Sequence, residues 1–333
     1  MSARVLLVAN NFPPVRGGSS AVYDNIARFA AGAVDVLAPC INYADGLPLI
    51  AWREQDRRAP YDVHRLHLLR TILQTGAPSK WRRARLMAGD VAIRIKVLAT
   101  ILRLARRRGY EAVCLGELLA SGWLIRPLQR LTGMRVIVYV HGEEITTHDP
   151  RDPLKRRCMR LLRQADGIVV VSRFTQSVVL DLLGPDVAAR MALIHNGVAS
   201  GVFTPGPKRP DLLVRHHLGD AFVFVSVCRL LEKKGIDNAL RAFAAIAARH
   251  GGSLADSRFL IVGTGPYGPA LAALAGRLGI ADRVVFAGAA PEADLSTCIG
   301  WATCSSCPTA VCPTATPKAS AWSSWKRTVV GFR

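Results

Sequence analysis

The sequence predicts an α/β protein made of two doubly wound, mainly parallel sheets joined by a linker. Three observations lead there. Short runs rich in Val, Ile and Leu alternate with segments of helical periodicity between residues 5 and 286. Several runs are apolar throughout rather than alternating, as strands covered on both faces are. The length of 333 residues suits two domains of roughly 150 residues each.

The first run, 5–9, is a strand. It leads through Asn10, Asn11, Phe12, Pro13, Pro14, Val15 and Arg16 to Gly17 and Gly18, and a helix follows over about 19–31 with Ser19 or Ser20 as its cap. A strand, a glycine turn and a helix N-terminus form an anion-receptive corner, where Gly17 and Gly18 let a ligand approach the backbone closely. A plain βα turn needing a positive φ would look the same. Residues 34–38 form a second strand, 40–60 are loop-rich, and 63–69 supply a third strand.

Residues 80–108 carry Lys80, Arg82, Arg83, Arg85, Arg94, Lys96, Arg103, Arg106, Arg107 and Arg108 against a single acid, Asp90. Met87, Val91, Ile95, Leu98 and Leu102 recur on one helical face, which is expected to pack a crossover helix over 91–108 onto the sheet. The cations at 80–85, beside Trp81, are the better candidates for an anionic membrane surface. A strand over 112–115 and a helix over 118–131 follow. The strand at 136–140 delivers His141, Gly142, Glu143 and Glu144 at its C-terminal end, where ligands gather in open parallel sheets. The remainder of this half reads as a helix over 152–164, a strand over 167–171, a helix capped by Ser172, and a strand over 191–195 ending in Asn196-Gly197.

Residues 201–211, rich in Gly and Pro, read as the linker between a first domain over 1–200 and a second beginning at 212. In the second domain, 222–227 is a buried strand. Arg229, Lys233 and Lys234 sit between it and a helix opening after Gly235, so a phosphate site is expected there; a solvated basic turn is the alternative. A strand over 259–262 then runs into Gly263-Thr264-Gly265-Pro266-Tyr267-Gly268, a literal G-x-G-x-x-G. As a dinucleotide fingerprint it lacks its acidic partner: the strand at 284–286 leads to Ala287-Gly288, and Asp282 precedes that strand. A nicotinamide-dependent oxidoreductase using Gly263 to Gly268 is thus the second reading.

Composition narrows the partners. Lys and Arg outnumber Asp and Glu by 44 to 24, a formal charge of +20, which favours anionic substrates and surfaces. Charge alone would also suit a basic nucleic-acid-binding protein, but no basic motif interleaved with aromatics supports it, and nucleic acid is not an expected partner. No apolar run approaches the ~20 residues that span a bilayer, and 5–9 is too short for a signal peptide. The expected location is the cytoplasm, peripheral at the inner membrane face where the cations meet lipid. Cys40, Cys114, Cys158 and Cys228 are isolated, as reduced buried thiols are.

Phe12-Pro13-Pro14 with Gly17-Gly18, His141-Gly142-Glu143, Val171-Ser172-Arg173-Phe174-Thr175, Asn196-Gly197-Val198, Arg229-Leu230 with Lys233-Lys234-Gly235, Gly263-Thr264-Gly265-Pro266 and Val285-Phe286-Ala287-Gly288 occur in one order and spacing. Together they resemble the retaining glycosyltransferases of family 4, over about residues 1–295. The resemblance implies a GT-B fold of two Rossmann-like domains facing a cleft. It also implies transfer of a sugar from a nucleotide diphosphate sugar to a lipid-linked or glycan acceptor, in polysaccharide or glycolipid assembly. It would have Arg229 and Lys234 neutralise the donor diphosphate, Gly17 and Gly18 approach the donor, and His141 sit by the transferred sugar, with Asn196, Gly263 and Gly265 among the donor-binding positions. No metal or other cofactor is expected, in keeping with the lack of an Asp-x-Asp pair.

The chain departs from the family after about 294. A Glu, seven residues, Glu motif is due, yet Asp294 is the last acidic residue. Cys298, Trp301, Cys304, Cys307, Cys312, Trp322 and Trp325 follow amid Ser, Thr, Ala and Pro. Codon logic suggests why. Joining the third base of each codon to the first two of the next makes Trp325–Lys326 necessarily glutamate. Pro317–Lys318, eight positions earlier, becomes glutamate if the proline codon ends in G. The second domain is therefore expected to be incomplete over 212–294, with 295–333 out of frame and transfer activity impaired. Cys304 and Cys307 have metal-ligand spacing, a reading that carries less weight.

Overall fold

The computed structural model describes residues 4–15, 17–72, 79–146, 152–197, 209–219, 221–249, 256–290, 294 and 304–305. The described residues divide into two compact units, one up to Gly197 and the other from Arg209 onward.

The first unit runs β1 (Val5–Val8), α1 (Gly18–Arg28), β2 (Val34–Pro39), α2 (Trp52–Arg58), β3 (Val63–Leu66), α3 (Lys80–Arg108), β4 (Ala112–Leu115), α4 (Leu118–Ser121), α5 (Ile125–Thr132), β5 (Arg135–Val140), α6 (Glu143–Thr146), α7 (Pro153–Gln164), β6 (Gly167–Val170), α8 (Arg173–Leu183) and β7 (Met191–Leu193). Its seven strands are parallel in the order β3-β2-β1-β4-β5-β6-β7. The order reverses on either side of β1, so β1 and β4 flank the switch point where such sheets bind ligands. Leu6, Val8, Val113, Leu115, Val136 and Val138 face one apolar layer, and Val5, Leu7, Cys114, Ile137 and Tyr139 face the other. This is why these strands read as unbroken apolar runs.

The second unit contains α9 (Pro210–Arg215), β8 (Val223–Val227), α10 (Ile236–Arg249), β9 (Arg258–Val262), α11 (Gly268–Arg277), β10 (Val284–Gly288) and the two-residue β11 (Cys304–Ser305). Its sheet is parallel, in the order β10-β9-β8-β11. No helix among the described residues is long and apolar enough to cross a membrane.

Several local expectations are corrected. The segment 40–60 holds helix α2. Helix α1 starts at Gly18, which places Ser19 and Ser20 inside its first turn; Gly17 is the capping residue and no side chain caps the helix. Pro210 and Asp211, assigned to the linker, open α9; 201–208 lie outside the described residues. The helix expected over 118–131 is broken by a 3-10 turn at Gly122–Leu124. Most of the tail from 295 lies outside the described residues, and β11 pairs with β8.

The largest correction concerns α3, one 29-residue helix capped by Ser79 and ended by Gly109 in the left-handed region. Met87, Val91 and Ile95 do not pack on the sheet: they are exposed, as is Trp81 at 88 %. Leu98 of the expected face does pack against the core, but the main contact comes from Ile93, Val97, Ile101 and Leu104. At about 100° per residue these lie on the opposite side of the helix from Val91 and Ile95. The helix carries two apolar stripes, and the core takes one of them together with Leu98 from the other.

Candidate active site

In the first unit the strand ends converge on a polar cluster. Beyond β4, Glu117 is pinned between two main-chain donors: Asn10 N–H donates to it at 2.8 Å and Asn11 N–H at 3.1 Å. The Asn10 side-chain amide adds a third, longer contact at 3.4 Å. Burial raises the Glu117 carboxyl to about 7 despite these donors. The same β1–α1 turn is gripped from its other side by Arg65 on β3. This buried guanidinium donates to the carbonyls of Pro13 (2.6 Å) and Pro39 (2.8 Å), and in a fork to Asp56. Carboxylate and guanidinium thus hold two nearby points, Asn10–Asn11 and Pro13, of the loop that leads to Gly17 and Gly18.

Those two glycines have no structural need to be glycine. Gly17 is extended, at φ 163°. A Cβ built on either residue meets nothing within 4 Å.

His141 follows β5, as its sequence position suggests. Its ring lies against Tyr23 and Tyr139, with centroids 5.3 and 5.1 Å away, and its Nε2 is 2.8 Å from the Tyr23 hydroxyl. Burial lowers the imidazole to about 4, with Glu143 opposing weakly, so the ring is neutral at pH 7. Gly142 adopts a φ of 111°, and its N–H donates to Glu144 at 3.0 Å. Tyr139 donates to the Asn196 side-chain oxygen at 3.2 Å, which brings the end of β7 to the same cluster. Ser172 caps α8 by accepting from Thr175 N–H, as its sequence context implies.

In the second unit, β8 delivers Cys228, Arg229 and Leu230 into a turn whose 3-10 segment holds Lys233 and Lys234. Gly235, at φ 66°, then opens α10. Arg229 is exposed and Lys234 half-buried, and neither has an ion-pair partner among the described residues. Gly263 and Gly265 lie directly against this turn. A Cβ on Gly263 would sit 1.8 Å from the Cys228 carbonyl oxygen, and one on Gly265 2.2 Å from that of Leu230. Hydrogen bonds from Leu230 N to Thr264 O (2.9 Å) and from Tyr267 N to Leu230 O (3.1 Å) close the two loops together. The G-x-G pattern is therefore accounted for by loop-on-loop packing. Asp282 lies in the 3-10 turn that precedes β10, away from the strand ends that carry these glycines.

Comparison with known proteins bears on this arrangement. Residues 17–200 match the description Glycosyltransferase Family 4, and residues 220–323 match Glycosyl transferases group 1. The chain belongs to glycosyltransferase family 4. It is 31 % identical over 299 residues to a GDP-mannose-dependent alpha-(1-6)-phosphatidylinositol monomannoside mannosyltransferase of Mycolicibacterium smegmatis, a match covering 87 % of this chain and 69 % of that protein. The Mycobacterium tuberculosis enzyme of the same description is 32 % identical over 293 residues, covering 86 % and 67 %. Among solved structures, the Anabaena protein HepE in complex with UDP and glucose shares a TM-score of 0.61 at 18 % identity, over 89 % of this chain and 72 % of that one. WaaG, a glycosyltransferase involved in lipopolysaccharide biosynthesis, shares 0.52 at 13 %, over 90 % and 73 %. The two parallel sheets of this glycosyltransferase are those of the GT-B fold.

Glu117, Arg65 and Tyr23 belong to the candidate site and were missed by motif reading. Glu117 could have been found by applying to β4 the strand-end rule that singled out His141. Tyr23 and Arg65 left no signal, since their partners are remote in sequence.

Proposed function

We propose that this glycosyltransferase takes a sugar from a nucleotide diphosphate sugar, a GDP-sugar first among them, and passes it with retention to a lipid-linked or glycan acceptor. The observation that carries this is the pair Arg229 and Lys234: two cations without acidic partners among the described residues, in the turn between a buried strand and a helix N-terminus. Departure of a nucleoside diphosphate builds negative charge, and preorganised cations and N–H groups stabilise it. Gly17 and Gly18 fit close approach of a ligand to the backbone, because none of the described residues lies within 4 Å of a Cβ built on either. On this reading His141 contacts the transferred sugar, Asn196 completes its surroundings, and Gly263 and Gly265 shape the diphosphate turn. No metal takes part. The mannosyltransferase relatives make GDP-mannose the first donor to try.

A thermal-shift series on the full chain with GDP-mannose, UDP-glucose and NAD, with and without a chelator, tests this. One nucleotide sugar should raise the melting point in a chelator-insensitive way, since a ligand of the native state stabilises it. Arg229→Ala and Lys234→Ala should each abolish the shift. A shift with NAD alone would restore the oxidoreductase reading, which the packing role of Gly263 and the position of Asp282 disfavour.

The acceptor side of the reading places the protein peripherally on an anionic membrane through the start of α3. There Trp81, Arg82, Arg83 and Arg85 are exposed, and Met87, Val91 and Ile95 continue the apolar surface. The side chain of Lys80 lies outside the described residues. We also retain the out-of-frame reading of 295–333, which would impair transfer by removing the Glu-x7-Glu motif. The group 1 match runs into that stretch, to residue 323, and weighs against it. The coding DNA decides: without two glutamate codons eight positions apart in the other frame, the reading fails.

A further inference from the structure

Tyr23 lies on α1, fully buried, 93 residues from Gly116 and 118 from His141 in sequence. Its hydroxyl touches both. A phenol has one proton to give, and the main-chain oxygen of Gly116 can only accept. The close contact of two oxygens there commits the Tyr23 proton to Gly116. The His141 Nε2, 2.8 Å from the same phenol oxygen, is then left one role, that of donor.

We propose that Tyr23 is the positioning residue that holds His141 as its Nε2–H tautomer, leaving Nδ1 as the ring's acceptor. The surroundings are built for this. A Cβ on Gly116 would fall 2.7 Å from the Tyr23 Cζ and 2.9 Å from its oxygen, so only glycine admits the phenol. Edge contacts with Tyr23 and a tilted contact with Tyr139 fix the imidazole plane. The hydroxyl of Tyr139 is turned to Asn196 and the Glu144 carboxylate to Gly142 N–H, while Nε2 meets the Tyr23 oxygen. Burial keeps the Tyr23 phenol protonated far above neutral pH and the imidazole uncharged.

The consequence deepens the sugar-transfer reading and rests on it. A neutral ring whose free nitrogen is an acceptor selects a hydroxyl donor. It turns away phosphate and carbonyl oxygens. The group met by His141 is then a sugar hydroxyl.

The tautomer can be read without turnover. Two-bond proton–nitrogen correlations on the full chain labelled with 15N-histidine report it directly, with the His141 signals assigned by their loss in His141→Gln. The Nε2–H pattern should persist from pH 5 to 8. In Tyr23→Phe, with its fold checked by circular dichroism, both tautomers should appear. A wild-type His141 found as Nδ1–H or as imidazolium at pH 7 overturns the proposal, whether or not Tyr23→Phe folds. So does a folded Tyr23→Phe with the wild-type pattern. Nucleotide-sugar binding measured on the same sample separates the two ideas: its absence beside an intact Nε2–H pattern counts against the transfer reading and leaves the role of Tyr23 standing.

Discussion

The carboxylate of Glu117 accepts the main-chain N–H of Asn10 at 2.8 Å across 107 residues of sequence. That bond ties the end of β4 to the turn after β1 at the switch point of the sheet. Burial and hydrogen bonding oppose one another at this carboxyl, and burial dominates, lifting it to about 7.

A pH dependence with a definite sign follows. A carboxyl raised in the folded state gives stability that is fully present below its unfolded value near 4.5 and lost as pH rises through about 7. At about 1.4 kcal/mol per unit, the loss is roughly 3 kcal/mol. Relative to Glu117→Gln, which does not titrate, the wild type should lose stability between pH 5 and 8 in urea titrations. A wild type that gains on the variant over that range would mean that the two N–H donors outweigh burial.

The glycines separate into two kinds. Gly263→Ala forces a Cβ to 1.8 Å from a main-chain oxygen at a φ of 139°, and should cost more than about 4 kcal/mol, the range of severe core disruptions. Gly18→Ala meets open space at the start of a helix. It should leave stability unchanged or slightly raised, by up to about 1 kcal/mol, while weakening nucleotide-sugar binding. Melting curves and donor titrations on the two variants check the contrast. Equal donor affinity in Gly18→Ala and wild type would remove Gly18 from the binding surface.

Arg65→Met strands the Asp56 carboxylate and two carbonyls. Removing one partner of a buried pair costs about 3–5 kcal/mol. Arg65→Lys should recover only part of this, because an ammonium cannot reproduce the fork to Asp56 and the reach to Pro13 and Pro39 together. Chemical denaturation of the two variants measures both steps.

At α3, replacing Arg82, Arg83 and Arg85 by Ser should weaken sedimentation with anionic vesicles roughly a hundredfold, at about 1 kcal/mol per cation near the surface. Binding should fall with added salt and be negligible on neutral vesicles. Wild-type binding to neutral vesicles as strong as to anionic ones would exclude an electrostatic membrane contact.

The sheets were legible because a parallel strand covered on both faces must be apolar at every position, as residues 112–115 and 136–140 are. Strand-end positions were legible too, since topology alone sends His141 and Arg229 to the C-terminal edge of each sheet, where ligands gather in such folds. Sequence by itself therefore determined the two-sheet architecture, the family and the positions of the cationic turn. Tertiary structure decided which stripe of α3 meets the core. Met87, Val91 and Ile95 repeat as well as Ile93, Val97 and Ile101 do, and periodicity reports a stripe without naming its neighbour. It also decided why Gly263 is glycine and why Gly18 need not be, because a missing Cβ acquires a reason only from what stands beside it. Tyr23, Arg65 and Glu117 entered the site the same way: their hydrogen bonds join residues far apart in the chain, and no local pattern records a partner that only folding supplies.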